Sequence, residues 1–400
     1  MKATLSIPSI QLPQVPSFSI SNEIPTVRVP FLSLLLEPRP LRKWAFIWGF
    51  CLYLVFCFGC FFVFEQPRLN HDTFIRFGAD SPTYWDGVEY RSQHSQSGSV
   101  LVSFTGNLLG PVLIGTIFRT GFAVACFNIV LFFFAVEVAC TIPGVNRYRL
   151  LFLLAICAET APALVTLNKE IMVLVSALLF AKYVYSKRRS LILLAAVFAV
   201  SVFARWEQIA ILLLYLFLSR KGSVFRRKPW MAVFTVIAIL TVLYPLIARL
   251  PGSQIGAFTQ YARGANTIAK LNKIQTDFGF PLVLVPKIIM DIFGELLRPL
   301  TFLGEYYLLG YADIHSIFII PLFSIALITL LVKAYRRGLL NPERPIALLI
   351  ITYAIVTAVT PFVQPRYYYF NYVLLCLELA RYNEGEGRVP EGSQVTAKLA

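Results

Sequence analysis

The sequence is poor in charge: only 14% of its 400 residues are Asp, Glu, Lys or Arg, against roughly 25% in an ordinary soluble domain. With 57% hydrophobic residues, that scarcity excludes an ordinary soluble domain and predicts an all-α, polytopic membrane protein. Histidine is scarcer still, and His71, His94 and His315 lack the spacing of metal ligands. The phosphate loop, dinucleotide fingerprint, zincin and nucleophile elbow are all missing, which removes the soluble-enzyme templates. No internal repeat of the kind inverted-repeat transporters show is visible. The seven cysteines (Cys51, Cys57, Cys60, Cys126, Cys140, Cys157 and Cys376) all lie in apolar runs, which argues against a disulfide framework or a thiolate zinc site. Acid is short as well, leaving a net charge of +15. The bases fall in small clusters between apolar runs rather than in one stripe, so nucleic acid is not an expected partner.

What is present is a series of apolar runs near the length of about 20 residues that crosses a bilayer. Runs 44–64, 229–248 and 346–365 carry no charge, and 316–332 is equally clear. Three others are interrupted once: 120–141 by Glu137, 150–168 by Glu159 and 170–186 by Lys182. They read as spans whose charges face protein or a water-filled cavity. Runs 190–204 and 208–219 are short and read as a hairpin with Arg205-Trp206-Glu207 at a tip below the outer surface, and 367–380 is short too. The expectation is about ten spans.

Lys and Arg cluster in alternate loops, at Arg147 and Arg149, Lys187–Arg189, Arg220–Lys228 and Lys333–Arg344, and before the first span. Those sides are read as cytoplasmic. This gives a cytoplasmic tail over 1–41, a membrane domain over 42–382 with outer segments 65–119 and 249–315, and a polar cytoplasmic tail over 383–400. The first tail, rich in Ser and Pro with no apolar core, reads as a tail rather than a signal peptide, and both termini are expected inside. In the second outer segment, 281–304 carries Lys287, Asp291, Glu295 and Arg298 on one helical face. It is expected to be an amphipathic interfacial helix, either with surface ion pairs or with a grip on a charged headgroup.

Ionisable residues at the outer ends of spans carry the functional signal, because charge at membrane depth is costly. The stretch Phe77-Gly78-Ala79-Asp80-Ser81-Pro82-Thr83-Tyr84-Trp85-Asp86-Gly87 sets Asp80, Asp86 and Glu89 beside two flat aromatic rings. A carboxylate there suits a general base and the rings suit sugar stacking; equally, Asp80 suits a helix cap. Asn168-Lys169-Glu170, Arg205-Trp206-Glu207 and Gln364-Pro365-Arg366-Tyr367 stand at three further outer turns. Each has a structural reading as interfacial anchor, helix-terminal acid or aromatic belt. Together Lys169, Arg205 and Arg366 suit the phosphate or pyrophosphate of a membrane lipid whose tail runs between helices.

This pattern resembles the GT-C superfamily of integral-membrane glycosyltransferases. The resemblance rests on Ala79-Asp80-Ser81-Pro82-Thr83-Tyr84-Trp85 after the first span, Asn107-Leu108-Leu109-Gly110-Pro111 before the second, Asn168-Lys169-Glu170-Ile171, and Pro365-Arg366-Tyr367. It implies Asp80 as catalytic base, Arg366 as donor-phosphate ligand and Lys169 and Arg205 as supporting contacts, with Glu170, Tyr84, Trp85, Asp86 and Tyr367 lining the substrate site. The implied partners are a polyprenyl-linked sugar donor, a glycan, lipid or protein acceptor, and membrane lipid, at the outer face of a bacterial cytoplasmic membrane. The chain has no counterpart of the soluble C-terminal domain of many members. Where several branches carry paired acids it has Asp80-Ser81, so a divalent metal would draw on Asp86. The near alternative is the O-antigen and exopolysaccharide polymerases, which join lipid-pyrophosphate-linked repeat units. A transporter of lipid-linked sugar, with Glu137, Glu159 and Lys182 along its path, is the alternative from another class.

Overall fold

In the computed structural model, the described residues are 43–65, 75–76, 80–93, 108–186, 189–220, 222–248, 267–294, 296, 312–313, 315–360 and 365–381. All fall within one unit, residues 41–400. Both tails expected from the sequence, together with Glu295 and Arg298, lie outside the described residues.

The fold is all-α. In chain order the helices are α1 Lys43–Cys60, α2 Ser81–Gln93, α3 Leu109–Phe118, α4 Gly121–Cys140, α5 Arg147–Ala155, α6 Thr160–Val165, α7 Glu170–Tyr185, α8 Leu191–Ala204 and α9 Trp206–Leu218. After a helical turn at Val224–Arg227 come α10 Pro229–Ala248, α11 Thr267–Phe278, α12 Pro281–Phe293, α13 Ile320–Arg336, α14 Pro345–Val359, a tight turn at Pro365–Tyr368, and α15 Tyr369–Arg381. Their starts follow local chemistry: Thr120, Asn146 and Ser190 cap α4, α5 and α8 with side-chain oxygens, and proline in the first turn opens α12, α13 and α14.

By length and composition, Gly121–Cys140 and Ile317–Arg336 are long and apolar enough to cross a membrane. Shorter apolar helices accompany them, among them Leu191–Ala204, Pro229–Tyr244 and Pro345–Val359. The expected span 150–168 is corrected: the chain breaks after Ala155 and restarts as the short α6. Pro162 explains the break, because an uninterrupted helix would lack its N–H and clash with its ring. Asn128 Nδ2 from α4 then donates to the carbonyls of Ala163 (3.2 Å) and Thr166 (3.0 Å), partners the interrupted backbone needs.

Helices α7 and α15 are mostly apolar and buried along nearly their whole length, as helices surrounded by others tend to be. Helix α7 packs against α4, α8 and α15, and so forms the centre of the core. At one end of this pair stand Lys169, Glu170 and Arg366; at the other are Lys182, Arg189 and Arg381, about 24 Å away along the 16 residues of α7.

A two-residue parallel pairing, β1 Ile75–Arg76 with β2 Ala312–Asp313, joins the two segments read as outer. It delivers the chain to Asp80 on one side and to His315 on the other. The expectation of surface ion pairs on 281–304 is also corrected. Lys287 and Asp291 are fully buried, while Leu282, Val285, Ile289 and Phe293 of the same helix are exposed. The charged face of α12 points into the protein and its apolar face outward.

Candidate active site

Four separate parts of the chain meet at one end of the core, each held by local structure. Asp80 immediately precedes α2, and its carbonyl accepts the Tyr84 N–H at 3.1 Å as the first bond of that helix. Tyr84 is buried with Val124 and Leu167, which pins α2 in place, and its hydroxyl donates to Asp80 Oδ2 at 3.4 Å. The Asn168 side chain accepts the Glu170 N–H at 3.3 Å, a local turn that puts Lys169 and Glu170 at the head of α7. Arg205 is the one extended residue between α8 and α9. Arg366 lies in the tight turn before α15.

Helix α3 brings these parts close. At Gly110 an added Cβ would stand 2.0 Å from the backbone oxygen of Phe203, two residues before Arg205. Only glycine allows that approach, which gives Gly110 a structural reason; Asn107 lies outside the described residues.

The Arg366 guanidinium grips the Asp80 carboxylate in a fork, Nη1 to Oδ2 at 2.9 Å and Nη2 to Oδ1 at 3.5 Å. Lys169 Nζ stands 3.9 Å from the same Oδ2, beyond hydrogen-bond reach. Arg205 Nη2 donates to Glu170 Oε1 at 3.2 Å, with both side chains buried. The Tyr367 ring links the two arginines, its centroid 4.6 Å from the Arg205 guanidinium carbon and 5.8 Å from that of Arg366. Three cations thus face two carboxylates. Among the described residues, the buried Nε–H groups of Arg205 and Arg366 and the Oε2 of Glu170 have no hydrogen-bond partner.

Burial works to raise the Asp80 carboxyl, but Arg366 and then Lys169 outweigh it and hold it below its usual value. Asp80 therefore stays ionised. Burial first, and then Arg205, push the Lys169 ammonium down to about 8 against the pull of Glu170 and Asp80.

Of the residues expected from the sequence, Asp80, Lys169, Glu170, Arg205, Arg366, Tyr367 and Tyr84 are brought together. Asp86 is not: it is exposed, on α2, with no ion pair or hydrogen bond among the described residues. The expected second carboxylate beside Asp80 is thereby corrected; a helix turns residue 86 away from a cap at 80. Trp85 is half-buried against the Tyr84 cluster, its Nε1–H without an acceptor among the described residues. No group of three His, Cys, Asp or Glu among the described residues is arranged to hold a metal ion together.

One pair was missed. His315 Nε2 lies 3.0 and 3.1 Å from the two carboxylate oxygens of Glu159, and both side chains are buried. The pair acts electrostatically on Asp80 and Arg366. The signal was available, since Glu159 interrupts an apolar run and His315 precedes another. The other two charges considered for a transport path are satisfied at the opposite end: Glu137 pairs with Arg147 at 2.6 Å and is half-exposed, and Lys182 donates to the Thr141 carbonyl at 3.0 Å.

Compared with protein-family models, with curated proteins and with solved structures, the chain finds no match.

Proposed function

We propose that this protein is a polytopic membrane glycosyltransferase of the GT-C type, transferring a sugar from a polyprenyl-phosphate donor to an acceptor at the outer face of a bacterial cytoplasmic membrane. The observation that carries the reading is the convergence of Asp80 with Arg366 and Lys169, beside Arg205 and Glu170, at one end of the helical core. An ionised carboxylate beside cations in excess is what a hydroxyl-activating base and an anionic leaving group require together. Exposed apolar side chains on the outer helices, among them Phe56, Val130, Phe134, Phe217, Phe234 and Ile325, support the membrane setting, because such surface is unfavourable in water. The opposite end of the core carries the basic loops, which supports an outward-facing site.

In the resting site, Asp80 occupies the forked donors of Arg366. An arriving donor phosphate competes for Arg366 and Lys169 and frees Asp80 for the acceptor. The acceptor hydroxyl oxygen then attacks the anomeric carbon and its proton passes to Asp80. The bond from that carbon to the phosphate oxygen breaks, its electron pair leaving on the lipid phosphate, which Arg366, Lys169 and Arg205 stabilise. A new glycosidic bond of inverted configuration results.

The test is transfer by the purified full-length protein in liposomes, with a panel of polyprenyl-phosphate and polyprenyl-pyrophosphate sugars. One new glycosidic bond per donor is the expected result. Ladders of repeat units from pyrophosphate donors would make the protein a polymerase. Lipid-linked sugar crossing the bilayer without chemistry would make it a transporter.

A further inference from the structure

The proposed mechanism uses neither Lys287 nor Asp291, yet both are fully buried, and buried charges are expensive unless they are paired and hydrogen-bonded. Their partners explain what they hold. Lys287 Nζ donates to the Thr360 carbonyl at 3.0 Å, just beyond the end of α14, and to Gln275 Oε1. Gln275 Nε2 in turn donates to the Val359 carbonyl at 3.0 Å. Helices α11 and α12 thus supply donors to the carbonyls at the end of α14, and a cation at a helix C-terminus is favoured by the helix dipole. One turn further along α12, Asp291 Oδ2 accepts the Tyr368 hydroxyl at 3.2 Å.

The two attachments flank one short stretch of chain. Thr360 precedes and Tyr368 follows the segment carrying Arg366 and Tyr367, and α12 packs directly on the Pro365–Tyr368 turn. Lys287 and Asp291 are four apart, so they rise from one face of α12, and that face holds Thr360 and Tyr368. Helices α13, α14 and α15 also pack on this turn, but α12 adds hydrogen bonds on either side of Arg366, whose own forked contact is to Asp80, the group the donor must free.

We propose that Lys287, Asp291 and Tyr368 are positioning residues that set the Arg366 guanidinium for the phosphate of a lipid-linked donor, so that α12 acts as a brace on the phosphate-binding turn. The inference rests on the proposed function of the site. The Tyr368 hydroxyl is the thread to cut, because Tyr368→Phe keeps the ring and its packing and removes only the hydroxyl, with its bond to Asp291 at 3.2 Å and a longer contact to the Ala354 carbonyl at 3.5 Å.

The experiment is a double-mutant cycle on the full-length protein in detergent, reading the Kd for a long-chain polyprenyl monophosphate. Arg366→Ala alone is expected to weaken binding by about tenfold or more, and Tyr368→Phe alone by roughly three- to tenfold. In the Arg366→Ala background, Tyr368→Phe should cause no further loss, because the brace then has nothing to position. In a Lys169→Met background it should retain its full effect, because Lys169 caps α7 and is not part of the braced turn. Losses that simply add with Arg366→Ala would overturn the brace and reduce Tyr368 to a general structural residue. Wild-type affinity in Tyr368→Phe beside a weakened Arg366→Ala would sink the brace and leave the site reading intact. Wild-type affinity in Arg366→Ala would overturn both. Should Tyr368→Phe fail to fold, Asp291→Asn, which keeps an acceptor for the hydroxyl but loses its charge, serves in the same cycle with a smaller expected loss.

Discussion

Arg366 donates to Asp80 at 2.9 Å across 286 positions of sequence. The residue that opens α2 and the turn before α15 are therefore one site, and the consequences can be measured.

Asp80→Asn should fold as the wild type and lower sugar transfer by about 10²- to 10⁴-fold, the range typical for losing a general base. Donor binding should hold or improve slightly, because Arg366 loses its resting partner. Full transfer activity in a folded Asp80→Asn protein would remove Asp80 from the chemistry.

Lys169 gives the site a pH dependence. Its ammonium titrates at about 8 in the folded site against an ordinary 10.5, and a phosphate binds the charged form. Affinity for a polyprenyl monophosphate should rise to a plateau as the phosphate takes its second charge at about pH 6, hold to about pH 8 and fall as pH rises through it, with a proton taken up on binding above that point. Stability runs the other way: between those two values the unfolded chain holds the proton and the folded site does not, so the burial penalty fades as pH rises. Lys287 is also pushed down to about 8, by burial. The control is therefore Lys169→Met, which should bind more weakly and lose the step. A step that persists in Lys169→Met belongs to another group.

Gly110→Ala should fail by sterics. Its Cβ would meet a backbone oxygen at 2.0 Å, which no side-chain rotation relieves, so a cost of at least about 1–3 kcal/mol is expected. Gly115→Ala meets only the side-chain ends of Val88 and Leu167 and should cost less. Thermal unfolding of both variants in detergent orders them; equal midpoints would contradict the close approach of α3 to Phe203.

Glu159→Ala should destabilise the fold by at least about 1–3 kcal/mol, the cost of removing a buried hydrogen-bond partner of His315. Thermal unfolding in detergent checks this beside Glu159→Gln, which keeps a hydrogen-bonding group at the same place and should cost less; a wild-type midpoint in Glu159→Ala would contradict the pairing.

Much of this architecture was legible in local pattern. Apolar runs, small caps and proline positions announce helices, and charges at the heads of those runs announced Asp80, Lys169, Arg205 and Arg366. Two features were not legible. Run 150–168 reads as one helix by hydropathy, because hydropathy does not register that Pro162 lacks a donor in mid-run. The face shared by Lys287 and Asp291 was readable from their spacing, but its direction was not: spacing defines a face, and only the neighbours decide whether that face meets solvent or protein.

The sequence by itself determined a helical, lipid-compatible chain with its charges gathered at the ends of apolar runs, because a buried or lipid-facing backbone must satisfy its own hydrogen bonds and charge is driven from apolar surroundings. Tertiary structure alone decided that Asp80 pairs with Arg366, that Glu170 is taken by Arg205, that Asp86 stands aside, and that Glu159 finds His315. Those pairings join residues as far apart as 286 positions, and they follow from how α7 and α15 pack against their neighbours, which no local pattern encodes.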